Sequence, residues 1–356
     1  MMPLPWNRRA ERGSAGLIQV MIWLTLRLGW HGGRLLLYPI TAYFFVASPT
    51  ARAASRGFLA RATGRPASPA TVFRHLLAFA TMLLDRVFFL TGRTARFTVT
   101  VQGLDHLTAA LAERRGVVLI GAHLGSFEAL RAFARTAPVP VRMLMYRANG
   151  GAFSRLIERL APDLAASIIE IGRPESMLRV HECVSRGEIV GILADRAPAR
   201  LAPDAAGAVG AAGAGGTHAI RAPFLGAEAA FPDGPFRLAA SLGVPTLLFF
   251  GLVAGPRRYE LIFEPFVVPR PPDRAGRAGA LRQAVLCYAG RLEQRARAYP
   301  FNWFNFYDFW DGRTDASSRS AAHSGPSAGP AAGGDRARSG GSAGGAGPAA
   351  GDGRPA

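Results

Sequence analysis

The chain is expected to fold as an α/β protein with a largely parallel central sheet flanked by helices. Two observations predict it. From Phe97 to Val268, short apolar runs alternate with stretches of helical period. The runs themselves, such as Val117-Val118-Leu119-Ile120, are apolar throughout rather than at every second position. Strands buried on both faces read this way, and helices that cross between parallel strands supply the cover.

The elements follow in order. Residues 16–30 and 34–47 are apolar segments separated by His31-Gly32-Gly33, with Arg27 in the first and Pro39 in the second. No 18-residue window escapes a charge or a Gly-Gly break, so two interfacial or re-entrant helices are expected rather than a spanning one. Trp23, Trp30, Tyr38 and Tyr43 would lie at headgroup depth, and Pro39 would kink the second helix. Residues 49–95 read as helices with a broad apolar stripe, carrying His75 and Asp85 either as structural polar groups or as groups facing the interface. FTVTVQG alternates as a strand, and Leu107–Arg115 is helical. Strands are then expected at 117–120, 139–147, 167–172, 188–196, 244–253 and 258–268, and helices after Ser126 and over 152–160, 174–187, 235–243 and 278–299. Residues 199–218 read as a flexible insertion and 314–356 as a disordered tail, both rich in Ala and Gly without periodicity. The expected domains are membrane-associated helices (1–48), a helical pair packing on the core (49–96), the α/β domain (97–313) and the tail.

Composition narrows the function classes. All 42 basic residues are Arg, and the net charge is +18. Thirteen arginines in the first hundred residues face only Glu11 and Asp85, a balance suited to an anionic membrane face or an acidic carrier protein. No nucleic-acid module interleaves aromatics with these arginines, which argues against nucleic acid. Cys183 and Cys287 form neither a disulfide framework nor a metal motif, and a reducing compartment fits them.

The chemistry concentrates in GVVLIGAHLGSFEALRAF, Gly116–Phe133. The strand delivers His123 into a loop, Gly125-Ser126 opens a helix with Ser126 as its cap, and Glu128 falls in the first turn. Such a His-x4-Glu can deprotonate a hydroxyl: His123 takes the proton, Glu128 orients the imidazole, and helix N-terminal amides at Gly125 and Ser126 face a developing oxyanion. Ligands collect at the C-terminal edge of such strands. Arg147 and the pair Asp195-Arg196 end two other strands and point to the same rim, where a cation can hold a phosphate or a carbonyl oxygen. Asp233-Gly234 forms a turn at a helix start, a place suited to anions. No metal site is expected, because neither HExxH nor a Cys/His cluster is present. No cofactor is expected either, for lack of a Walker loop or a dinucleotide glycine fingerprint. A serine hydrolase is disfavoured, because the sole GxSxG match, GPSAG at 325–329, lies in the tail.

GAHLGSFEALRA, MYRANGGAFSRLIERL, ILADR and FLGAEAAFPDGPFRLA, in this order, resemble the blocks of the bacterial lipid A lauroyl/myristoyl acyltransferases, a branch of the lysophospholipid acyltransferase superfamily. The likeness covers most of residues 15–312. It implies a glycerolipid-acyltransferase-like fold, His123 as catalytic base with Glu128 as partner, and a binding role for Arg147, while Asp195, followed by Arg196, stands where the ILADR-like block ends in Asp. It also implies acyl carrier protein or acyl-CoA as donor, a lipid or glycolipid acceptor, and a place on the cytoplasmic face of the inner membrane. Asp233 stands where the glycerolipid enzymes have Glu. The ending PFNWFNFYDFW departs from the lipid A enzymes and looks more like the acyltransferases linked to aryl-polyene-type lipids. The alternatives are a non-catalytic lipid-binding protein of the same fold and an esterase or lipase.

Overall fold

The computed structural model describes residues 15–130, 139–146, 161–162, 166–171, 174–196, 219–271 and 273–310. Arg147, the helix expected over 152–160, the 199–218 insertion and the 314–356 tail lie outside these residues. The elements are α1 (Ala15–Ala47), α2 (Pro49–Thr63), α3 (Pro69–Leu90), β1 (Thr98–Gln102), α4 (Leu104–Ala112), β2 (Val117–Gly121), β3 (Val141–Tyr146), β4 (Ile168–Ile171), α5 (Pro174–Ser185), β5 (Ile189–Leu193), β6 (Ala219–Phe224), β7 (Ala227–Pro232), α6 (Gly234–Leu242), β8 (Thr246–Gly255), β9 (Arg258–Phe266) and α7 (Arg274–Ala298).

Seven strands form one sheet in the order β1-β9-β8-β2-β5-β3-β4. The block β8-β2-β5-β3-β4 is parallel, β9 runs antiparallel to β8, and β1 runs parallel to β9. The fold is thus α/β with a mostly parallel sheet. β2 is buried along its whole length. Its alternate side chains enter opposite cores: Val118 and Ile120 meet α2, α7 and the β6–β7 hairpin, whereas Val117 and Leu119 meet Phe89 of α3 and Leu107 and Ala110 of α4. A period of two along the strand, covered on both sides, is the physical reason the run is apolar at every position.

The hairpin is an addition to the expected elements. β6 and β7 pair antiparallel through the two-residue turn Leu225-Gly226, with φ of 52° and 80°. Its strands are Ala-rich and carry little β-branched signal, so sequence pattern alone passes over them.

The N-terminal segments also differ from expectation. The break falls at Gly29 (φ 73°, ψ −174°), not at Gly32-Gly33, and Pro39 continues the helix. Gly33 lies within the helix, where a Cβ would fall 3.0 Å from Leu84 of α3 and 3.2 Å from Thr25 before the break, so its missing side chain permits the close packing. Trp30, Leu37, Leu77, Leu84 and Phe88 fill the seam between α1 and α3. The outer face of α1 exposes Trp23, Leu35, Tyr43 and Val46, each more than half accessible. Among the described residues no helix is long and apolar enough to cross a membrane.

Two buried ionisable groups tie these helices to the body. Asp85 accepts from Trp30 Nε1 (2.6 Å) and Tyr259 Oη (2.7 Å), joining α1 and β9 through α3. Burial pushes its carboxyl up to about 6 against the pull of those bonds and of Arg34 and Arg257. His75 donates from Nε2 to the Trp303 carbonyl (2.7 Å) and accepts at Nδ1 from Ser55 (2.8 Å). Burial holds it down to about 4, although the Trp303 bond favours its charged form.

The two groups act on stability with opposite sign. Between pH 6.5 and 4 the unfolded chain protonates His75 before the folded one does, so stability falls as pH falls through that window. Between about 6 and 3.8 the folded chain holds a proton on Asp85 that the unfolded chain releases, so stability rises as pH falls. Each contribution amounts to roughly 1–2 kcal/mol between pH 7.5 and 5. Urea unfolding at those two pH values is therefore expected to show Asp85→Asn losing more stability on acidification than the wild type, and His75→Gln losing less.

Candidate functional site

β2 and β5 are neighbouring parallel strands in the register Gly121↔Leu193. Each chain runs two residues further, with the Ala194 amide still donating to the Gly121 carbonyl (3.0 Å). That places His123 beside Asp195: Nδ1 lies 2.8 Å from Oδ1. Asp195 is fully buried, while the His123 side chain is 30% exposed. Burial alone would raise the Asp195 carboxyl, but His123, Arg196 and Asn305 overcome it and hold it at about 2. An ionised carboxylate only accepts, so Nδ1 carries the imidazole proton and Nε2 the lone pair. Nε2 makes no hydrogen bond among the described residues. Burial, with the nearby Arg196 charge, keeps His123 below its ordinary range despite Asp195. The imidazole is therefore neutral near pH 7 and able to accept a proton.

Glu128 makes no hydrogen bond to His123, which corrects its expected orienting role, while its charge still favours the imidazolium through space. Its carboxylate pairs with Arg86 of α3 and accepts from Ser126 Oγ (3.1 Å). Gly125, at φ 82°, turns the backbone between His123 and Glu128. Glu128 instead anchors the loop to α3 through an ion pair that leaves its side chain 8% and that of Arg86 17% exposed. Its replacement by Gln removes the carboxylate that pairs with Arg86. We expect a loss of about 3 kcal/mol in chemical denaturation, the lower end for breaking a buried pair, with activity per folded molecule reduced far less than by changes at Asp195.

The expected oxyanion donors are also reassigned. The Gly125 amide donates to the Asn302 carbonyl (2.8 Å) and the Ser126 amide to the Gly251 carbonyl (2.7 Å). Both are spent on holding the loop, so neither faces substrate. Ser126 is a ligand of Glu128 rather than a helix cap. Arg196 donates from Nε to Asn305 Oδ1 (2.5 Å) and from Nη2 to the Phe304 carbonyl (3.1 Å), so those donors hold protein rather than substrate. Asp233 accepts from Arg237 Nε one turn into α6 (2.6 Å), and Gly234 is the first residue of that helix. Neither is bonded to His123 or Asp195.

The residues that sequence pattern misses lie at the chain's far end. Pro300–Trp310 crosses the C-terminal edge of the sheet as a strap. The Phe304 amide donates to the His123 carbonyl (3.0 Å), and Leu124 bridges Trp303 antiparallel. Asn302 grips β8 from both sides, accepting from the Val253 amide and donating to its carbonyl. Asn305 donates to the second Asp195 oxygen (2.8 Å). Two asparagines inside an aromatic run are the one signal available, since a buried carboxamide needs partners.

No model of a known protein family matches the chain, and no curated protein matches it at a significant level.

Proposed function

We propose that the chain is a membrane-associated O-acyltransferase that moves a fatty acyl group from an acyl carrier protein or CoA thioester to a hydroxyl of a lipid or glycolipid. The observation that carries this reading is the His123–Asp195 pair, with a neutral imidazole and an accessible Nε2 at the edge of parallel strands. In the proposed step, Nε2 removes the acceptor hydroxyl proton as the oxygen attacks the thioester carbonyl. The tetrahedral adduct then collapses, the C–S bond breaks, and the imidazolium returns the proton to the departing thiolate. A thioester is already activated, so no covalent enzyme intermediate is required. Against the hydrolase alternative, Ser126 Oγ donates to Glu128 rather than to His123, and among the described residues no serine is bonded to the imidazole.

The exposed apolar residues of α1, with the arginines of the N-terminal region, support docking on an anionic bilayer, on the cytoplasmic face of the bacterial inner membrane in this reading. The acceptor would then reach His123 from the lipid side. The test is thiol release from acyl-loaded carrier protein or acyl-CoA in the presence of phosphatidylglycerol-containing vesicles and an inner-membrane lipid extract. It is paired with lipid mass spectrometry of cells lacking the protein. Acceptor-dependent thiol release and a lipid species short of one acyl chain are expected. Unconsumed thioester with every donor, together with an unchanged lipid profile, overturns the proposal. Protein left in the supernatant when such vesicles are sedimented overturns the membrane part alone.

A further inference from the structure

The strap does more than cover the sheet edge, because its Asn305 stands between the two charged residues that follow β5. Asn305 is 2% exposed. Its Nδ2 donates to Asp195 Oδ2 (2.8 Å) and its Oδ1 accepts from Arg196 Nε (2.5 Å). The orientation of the carboxamide is fixed by its neighbours: a guanidinium can only donate and an ionised carboxylate can only accept. No other side chain of this length both donates to a carboxylate and accepts from a guanidinium. Aspartate only accepts, and leucine does neither.

We infer that Asn305 is a positioning residue for His123: it locks the Asp195 carboxylate toward Nδ1 and keeps the Arg196 guanidinium from claiming that carboxylate. The inference rests on the reading of His123 as the base. The geometry supplies two effects from one side chain. With one Asp195 oxygen on Asn305 and the other on His123, the carboxylate cannot rotate without breaking a charge-assisted bond. With Nε on Asn305 and Nη2 on the Phe304 carbonyl, the Arg196 guanidinium is retained on the strap. Remove the carboxamide, and Arg196 can turn to Asp195 and compete with the imidazole for it. The Phe304 amide fixes the His123 backbone from the same strap, so the base and its partner share one support.

The experiment uses full-length protein labelled with 15N-histidine, the His123 signals being assigned by their loss in His123→Gln. Above its pKa the wild type is expected to show a single Nδ1–H tautomer. Asn305→Ala should give a mixture of the two tautomers. It should also lower kcat for thiol release from palmitoyl-CoA, or from the acyl carrier protein equivalent, by about ten- to hundredfold with KM for the donor little changed. Asn305→Asp keeps the shape, so it covers the case in which the alanine variant fails to fold. Its added negative charge should raise the pH at which His123 titrates and move the acid limb of the rate profile with it. A His123 that keeps one tautomer and one titration midpoint in both variants, at wild-type kcat, overturns the role of Asn305. A wild type that transfers no acyl group while its tautomer shifts in the variants overturns the acyltransferase reading and leaves the positioning role standing.

Discussion

Replacing His123 by Gln is expected to reduce acyl transfer by on the order of a hundredfold or more, and Asp195→Asn to reduce it nearly as far. The two losses have one cause. Gln has no lone pair on a group able to accept the acceptor's proton at neutral pH. Asn at 195 can offer its amide N–H to Nδ1, which then has to accept. The ring proton moves to Nε2, where the base is needed, and the imidazole points a donor at the hydroxyl instead. Because the pair acts as a unit, the double variant should be little worse than either single one. Thiol release measured with all three variants checks this. Additive losses would mean that His123 and Asp195 act in separate steps. The pH profile of the wild type should fall on the acid side, with a midpoint below the ordinary histidine range, because burial and Arg196 disfavour the imidazolium.

Gly125→Ala should be the most damaging single change to the fold around the site. Gly125 sits at φ +82°, and a Cβ there would lie 2.1 Å from the Gly251 carbonyl oxygen, which is backbone and cannot swing aside. Gly251 meets Ser126 in the same way, its Cβ falling 2.2 Å from the Ser126 oxygen. The loop and β8 thus touch backbone to backbone. An alanine must part them, breaking the Ser126–Gly251 bond and straining the Gly125–Asn302 bond. Left-handed strain, overpacking and lost hydrogen bonds together amount to about 4 kcal/mol or more, a large share of a domain's usual margin. Urea unfolding measures it directly. A loss under about 1 kcal/mol would mean that the close approach relaxes freely.

β2, β5 and most of β8 are legible in the sequence because burial on both faces leaves a mark on nearly every residue. β2, β5, β8 and β9 were read within a few positions, and His123, Asp195 and Arg196 were placed at one sheet edge from strand ends alone. What pattern could not supply was strand adjacency. Nothing local to His123 says that β5, not the following helix, lies beside it, so the sequence points to the nearer acidic residue as its partner. The same limit hid Asn305, whose partners sit more than a hundred residues earlier. The sequence offers the amides of Gly125 and Ser126 to substrate because a helix start normally leaves them unpaired. Here β8 and the strap take them first. The break in α1 shifted from Gly32-Gly33 to Gly29 because packing against α3 rewards a small residue in a straight helix. Composition cannot distinguish that use of glycine from a hinge.

The pairing of Leu124 with Trp303 bears on when this protein becomes active during its synthesis. His123 and everything before it leave the ribosome long before the residues that clamp them. Until Asn302, Phe304 and Asn305 arrive, the loop lacks its far support and Asp195 lacks one of its bonds. Contacts so distant along the chain close late. Under the proposed function, a nascent or truncated polypeptide would therefore be inert toward thioesters until nearly the whole domain has been made.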